Sequence, residues 1–309
     1  MEEEQFPKTE ESPEQEMNPM QQAELVQNYI QNSEVSKIVE FICKLSNDER
    51  QKFKEIYLSS YGVDLTKQLE NLLSGDVKNL ILGLMKTPVD FDAEQIYQSM
   101  KGLGTDEDTL SEMIATRPSR QLIKIKDKYP ELYGETLEKD IEGDTSKHYR
   151  NILIAMIQGG RSDNPYPNIK KMKEIIEKLK DDNETVKENF ISYLVTCSYG
   201  EICTICREYE KAYGKNILEG IKDKFGSDEY DFFNKLLNYI SDPGKFFAEK
   251  IHGFRAKDLI RIFVSSEENL EEIKDAYRDL YNVELIDDIK SKTEGDFQLG
   301  LSILIQKIK

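Results

Sequence analysis

Long apolar runs are scarce in this 309-residue chain. The longest, Leu80 to Met85 and Ile152 to Ile157, fall far short of the roughly eighteen residues that a spanning helix requires. No segment is expected to cross a membrane. The first residues, Met1-Glu2-Glu3-Glu4-Gln5-Phe6-Pro7-Lys8, hold no apolar stretch, which excludes a secretory signal peptide there and predicts a cytoplasmic protein. Cysteine is sparse as well. Four thiols make no disulfide framework and are expected to stay reduced. The Cys203-Thr204-Ile205-Cys206 pair lacks a second ligand pair at zinc spacing, and the two histidines, His148 and His252, stand far apart. They leave no Ser/His/Asp or Cys/His set for nucleophilic catalysis, so no enzyme is expected. Positive charge is also short. The 42 Lys+Arg against 59 Asp+Glu give a net charge of −17, which repels a phosphate backbone and excludes a general nucleic-acid binder. Direct attraction to anionic lipid is disfavoured for the same reason.

What the chain has is internal repetition, the first thing to look for because it decides the fold. A Tyr-x-x-x-Tyr motif occurs at Tyr57/Tyr61, Tyr129/Tyr133, Tyr209/Tyr213 and Tyr277/Tyr281. Each second Tyr is followed four residues on by Leu65, Leu137, Ile217 or Leu285, and eight on by Leu69, Ile141, Ile221 or Ile289. Apolar residues at i, i+4 and i+8 make one helical face. Gly62, Gly134, Gly214 and Asn282 fit left-handed C-caps between two helices. Each copy ends in an apolar helix, and sustained strand alternation is missing. The predicted fold class is therefore all-α, built from four copies of a unit of about 70 residues. The divisions are an acidic disordered tail at 1–18, then repeats at 19–88, 89–161, 162–243 and 244–309. The stretch from Ser162 to Asn168, with Pro165 and Pro167, is expected to divide the molecule into halves.

The second copy carries a candidate site. Met100-Lys101-Gly102-Leu103-Gly104-Thr105-Asp106-Glu107-Asp108 places two glycines one residue apart, which permits a tight turn whose carbonyls converge. Convergent carbonyl oxygens suit Ca²⁺, a hard cation taking six to eight oxygen ligands. Asp144, forty residues after Gly104, offers the completing carboxylate. The same segment also reads as an ordinary inter-helix turn, with Thr105 as N-cap and acids in the first turn against the helix dipole. A phosphate cradle is the weaker reading, since no strand precedes the loop and no Gly-Lys-Ser/Thr follows it.

Four tandem repeats, the Met-Lys-Gly-x-Gly-Thr loop and an acid in the context Gly-Asp-Thr-Ser resemble the annexins over roughly residues 19 to 309. The resemblance implies five-helix repeats forming a curved disc, with Ca²⁺-dependent binding to anionic phospholipid such as phosphatidylserine. It implies that the carbonyls of Met100, Gly102 and Gly104 and the carboxylate of Asp144 hold one Ca²⁺. A weaker secondary site would use the Thr105 carbonyl and Glu107. Lys101 is expected to meet a lipid headgroup, and Leu103, at the loop apex, to dip into the interface.

The register also shows departures. Eleven residues past the second Tyr stand Leu72, Asp144, Lys224 and Lys292, so only the second repeat keeps an acid. A lysine there sets an ammonium where the cation would sit. Asn32 replaces the last loop glycine in the first repeat, the third offers Asp181 and Asp182 in loop positions, and the fourth is shortened to Ile251-His252-Gly253-Phe254-Arg255. Three of four sites are expected to be lost. A single bridge lacks the avidity of several, so stable membrane binding is expected to need more Ca²⁺ or self-association on the surface. In this loss the chain resembles divergent protist annexins such as the alpha-giardins. The alternative function is a Ca²⁺-independent adaptor for a cytoskeletal partner.

Overall fold

The computed structural model describes residues 17–145, 147–162, 169–178, 184–266 and 269–307. Among them stand twenty α-helices and no strand. The first five are α1 (Pro19–Gln31), α2 (Val35–Lys44), α3 (Asn47–Tyr61), α4 (Leu65–Leu72) and α5 (Gly75–Leu84). The same series recurs as α6 (Pro88–Met100), α7 (Glu107–Thr116), α8 (Ser119–Tyr133), α9 (Leu137–Asp144) and α10 (Lys147–Ile157). The third consists of α11 (Ile169–Lys178), α12 (Glu184–Thr196), α13 (Tyr199–Tyr213), α14 (Ile217–Ile221) and α15 (Ser227–Ser241). The fourth is α16 (Pro243–His252), α17 (Ala256–Ser265), α18 (Leu270–Tyr281), α19 (Leu285–Lys292) and α20 (Gly295–Gln306).

The tyrosine motif fixes one corner of every series. Helices α3, α8, α13 and α18 each end on the second Tyr, and Gly62, Gly134, Gly214 and Asn282 follow in the left-handed conformation. The first Tyr of each pair is buried. The two rings sit 5.0, 4.8, 4.7 and 4.9 Å apart in the four copies, tilted by 48° to 58°. The buried hydroxyl needs a partner, and in the first two copies the residue eleven positions on supplies it. Tyr57 donates to Gln68 at 3.1 Å and Tyr129 to Asp140 at 2.7 Å. In the third copy that position is Gly220, where a Cβ would collide with the Tyr209 hydroxyl. Helix α14, which carries Gly220, is only five residues long.

The helices gather into two compact units. One holds the residues up to Thr87 together with those from Leu285 onward, and the other spans Pro88–Glu284. The expectation that the link at 162–168 divides the molecule is therefore corrected. A single apolar core runs from Ile96, Leu110 and Ile152 to Phe190, Leu194 and Phe233, because α10 packs against α12 and α15 as well as against its own neighbours. Within the first unit α20 lies against α2 and α5. There Gly300 leaves no room for a side chain beside Leu80 and Val39. The acidic tail expected at 1–18 falls largely outside the described residues. Its last residue, Asn18, caps α1 in a capping box with Gln21.

Candidate functional site

The connection between α6 and α7 is six residues long, whereas its counterparts between α1 and α2 and between α16 and α17 are three. The extra length makes a loop. Gly102 at φ +114° and Gly104 at φ +86° take backbone conformations that L-residues resist, and nothing lies within 4 Å of where their Cβ atoms would be. Met100 anchors the base of the loop in the core, while Lys101, Gly102, Leu103 and Gly104 are exposed, Leu103 completely. The Asp106 N–H closes the loop by donating to the Ser99 carbonyl at 2.7 Å.

Two details differ from the expected turn. The N-cap of α7 is Asp106 and not Thr105: its carboxylate accepts from the Thr109 N–H at 3.1 Å and the Thr109 hydroxyl at 3.0 Å. Thr105 is instead free to donate its hydroxyl to the Asp144 carbonyl at 3.1 Å. Residues 39 apart in sequence are thereby joined. Asp144 is the last residue of α9, where Thr145 acts as C-cap and donates its N–H to the Ile141 carbonyl at 3.0 Å. Arg150 then binds the Thr145 carbonyl, its Nε at 2.9 Å. Glu107 opens α7, exposed, and its carbonyl accepts from the Tyr149 hydroxyl at 3.4 Å. Lys101 lies with Nζ 5.2 Å from the centroid of the Tyr97 ring, a cation–π contact. Tyr97 itself stacks on Tyr133 at 3.9 Å.

The loop offers open main-chain carbonyls, and the Thr105 bond sets the end of α9, where the Asp144 side chain is exposed, beside it. That set fits a hard cation such as Ca²⁺, which Met100, Gly102, Gly104 and Asp144 would hold. It is not a carboxylate cage, since no group of three or more His, Cys, Asp or Glu side chains at metal spacing occurs among the described residues.

The other repeats differ as their lengths suggest. Leu72 and Lys292 close α4 and α19 as Asp144 closes α9, so neither offers a carboxylate. Lys292 is paired with Asp288 at 2.9 Å. In the third repeat α14 stops at Ile221, three residues before Lys224. Asp181 and Asp182 lie outside the described residues. His252 stacks on Tyr281 at 3.8 Å and bonds the Tyr277 hydroxyl at 3.0 Å. That is a packing role, at the position Tyr97 holds in the second repeat. Burial pushes the Cys206 thiol up to about 12, out of reach of thiolate chemistry.

A network of charges lies behind the loop. Arg261 donates to Glu112 at 2.8 and 2.9 Å and to Asp258 at 2.7 Å, with Arg261 and Glu112 each only 1% exposed. Arg117 forks onto Asp92 at 2.8 and 3.1 Å. Burial alone raises the Glu112 carboxyl, but the Arg261 guanidinium and Lys250 outweigh it and hold the group below its ordinary value. Nearer the loop, Asp108 meets Lys235, Lys250 and Arg255 at 3.1 to 3.2 Å, and Asp106 meets Lys257 at 2.8 Å. A sequence signal existed in Leu259-Ile260-Arg261-Ile262-Phe263, where an arginine inside an apolar helical run implies a buried acid partner.

Comparison with known proteins agrees with this architecture. The annexin family model matches residues 21–84, 91–156 and 247–304, leaving the third repeat outside the matched segments. The chain is 35% identical to annexin A1 of Bos taurus over 276 residues, 84% of this chain and 79% of that protein. It is 32% identical to annexin A6 of Gallus gallus over 86% of this chain, spanning 42% of that longer protein. Among solved structures, annexin III superposes with a TM-score of 0.87 at 29% identity, covering 94% of each chain. Calcium-bound alpha-14 giardin, at 19% identity and a TM-score of 0.78 over 93% of this chain and 99% of that one, shares the fold. The chain belongs to the annexin family, whose members are generally Ca²⁺-dependent phospholipid-binding proteins.

Proposed function

We propose that this protein binds anionic, phosphatidylserine-like membranes through one Ca²⁺ held in the second repeat. The single observation that carries the reading is the Thr105–Asp144 hydrogen bond, which brings the one acid at this register beside the one long glycine loop. The carbonyls of Met100, Gly102 and Gly104 with the Asp144 carboxylate would take the cation, and the Thr105 carbonyl with Glu107 a second, weaker one. Ca²⁺ would supply positive charge that accepts a lipid phosphoryl oxygen on a protein whose net charge is −17. Leu103, fully exposed at the loop apex, adds apolar contact of about 1–2 kcal/mol on entering the interface. Lys101 would have to leave the Tyr97 ring to meet a headgroup. With one site only, binding is weak for each molecule, and assembly on the surface multiplies it. The protein acts from the cytoplasmic side as a peripheral, non-enzymatic membrane binder, with repeat boundaries near residues 88, 161 and 243.

Co-sedimentation with phosphatidylserine vesicles across a Ca²⁺ titration tests the reading, with Asp144→Ala in parallel. Binding that appears with Ca²⁺, reverses on chelation and fails in the variant is the expected result. Binding unchanged by Asp144→Ala would overturn the assignment to the second repeat. No binding at millimolar Ca²⁺ would favour the cytoskeletal adaptor, to which the three-residue connections of the first and fourth repeats already lend some support.

A further inference from the structure

Helix α17 begins against the usual rule for helix ends. Its N-cap is Arg255, which makes no side-chain capping bond, and Lys257 sits in its first turn. Cations there face the positive end of the helix dipole and the unpaired N–H groups. Asp258, an acid in the same first turn, pairs with Arg255, so the local compensation is partial, and a local rule only partly offset points to a role elsewhere. The rest of the compensation comes from the second repeat. Lys257 reaches Asp106 at 2.8 Å and Arg255 reaches Asp108 at 3.2 Å, while Lys235 and Lys250 add two further contacts to Asp108, each at 3.1 Å. These acids are the first residues after the glycine loop, and Asp106 also closes it. The shortened fourth-repeat loop, which has lost the length of a cation site, thus places its own cations on the second repeat's acids.

The charge count near the loop follows. Asp106, Glu107 and Asp108 are three successive acids that would together draw a divalent cation strongly. Two of them are paired with cations from the third and fourth repeats, so only Glu107 and Asp144 remain for the loop. Ca²⁺ affinity rises with the number of uncompensated ligand and near-ligand charges. Resting on the second-repeat reading above, we infer that Lys257 sets the Ca²⁺ threshold of that loop by withholding the Asp106 charge from it. Lys257 is a positioning residue and touches no cation itself. Both partners are partly exposed, at 53% and 38%, so the pair exchanges readily and its loss leaves the fold intact.

Calorimetric titration of the full chain with CaCl₂ tests this with five proteins: the parent, Asp144→Ala, Lys257→Gln, Lys257→Arg and Lys257→Gln/Asp106→Asn. Lys257→Gln is expected to lower the half-saturating Ca²⁺ about threefold, the size of effect a unit charge exerts within a Debye length. Lys257→Arg should keep the parental midpoint. The double variant should return to it, because Asn preserves the cap of α7 while the freed charge is gone. A Lys257→Gln midpoint equal to or weaker than the parent's would overturn the inference. So would a gain that persists in the double variant, which would mark a general charge effect not routed through Asp106. The Asp144→Ala arm reports separately on the site: if it leaves Ca²⁺ binding intact, the second-repeat reading fails and this inference with it.

Discussion

The Thr105 hydroxyl donates to the main-chain carbonyl of Asp144 across 3.1 Å. One side chain thereby joins the two segments of the second repeat that would share a cation. Replacing it by the isosteric valine removes a bond worth about 1 kcal/mol without changing volume. Thr105→Val should raise the Ca²⁺ needed for half-maximal vesicle binding by about three- to tenfold, with thermal stability almost unchanged. Paired co-sedimentation and thermal melts check both halves of that expectation.

Gly102 at φ +114° lies outside even the left-handed helical region that Asn tolerates. Space is not the obstacle, since nothing stands within 4 Å of the Cβ position. Gly102→Ala should therefore act through backbone strain alone, costing about 1–3 kcal/mol locally and flattening the Ca²⁺ response. A calcium titration of the variant that overlays the parent's would show that the loop tolerates the change.

The Arg261–Glu112 pair is almost fully buried, at 1% exposure on each side. Removing one partner leaves an uncompensated charge in the core, so Arg261→Met should destabilise by about 3–5 kcal/mol. Urea unfolding measures it.

Acid sensitivity follows from the same pair. The folded-state pKa of Glu112 is held below its ordinary 4.5. Stability from it is complete above that value and is lost as pH falls below it toward the folded pKa. Melting temperatures taken from pH 6 downward should fall on passing below about 4.5, and a Glu112→Gln variant, already destabilised, should show a shallower fall. Equal slopes in both proteins would remove Glu112 from the cause.

Gly220 is small because the Tyr209 hydroxyl occupies the place of its Cβ. Gly220→Ala should cost about 1–3 kcal/mol by overpacking. Adding Tyr209→Phe should recover part of the loss, a coupling that a double-mutant cycle reads directly.

The tyrosine motif made the fold legible in the sequence because it marks the same event four times. A buried ring and a left-handed cap end the third helix of every repeat, and the apolar i, i+4, i+8 ladder continues from there. The loop was legible for a similar reason, since Gly102 and Gly104 satisfy a backbone need that few residues meet. Three features were not. Asp106 takes the cap by accepting from the Thr109 N–H and hydroxyl, while the Thr105 hydroxyl is spent on the Asp144 carbonyl, a partner 39 residues away. The charged network of Glu112, Arg261 and Asp258 depends on which helices meet, which helical periodicity does not encode. The prolines at 165 and 167 suggested a boundary, yet the apolar faces of α10 and α12 pack together, and core continuity follows burial, not linker composition.

The first compact unit closes only with α19 and α20, helices that follow α5 by about two hundred residues of chain. At translation rates of about 5–20 residues per second, helices α1 to α5 wait roughly 10–40 seconds beside the ribosome before the surface around Leu80 and Val39 is covered by α20. The Pro88–Glu284 unit, whose partners are all synthesised in one stretch, can complete its core first. Biogenesis therefore runs from the middle outward, and the earliest-made helices are the last to be sealed.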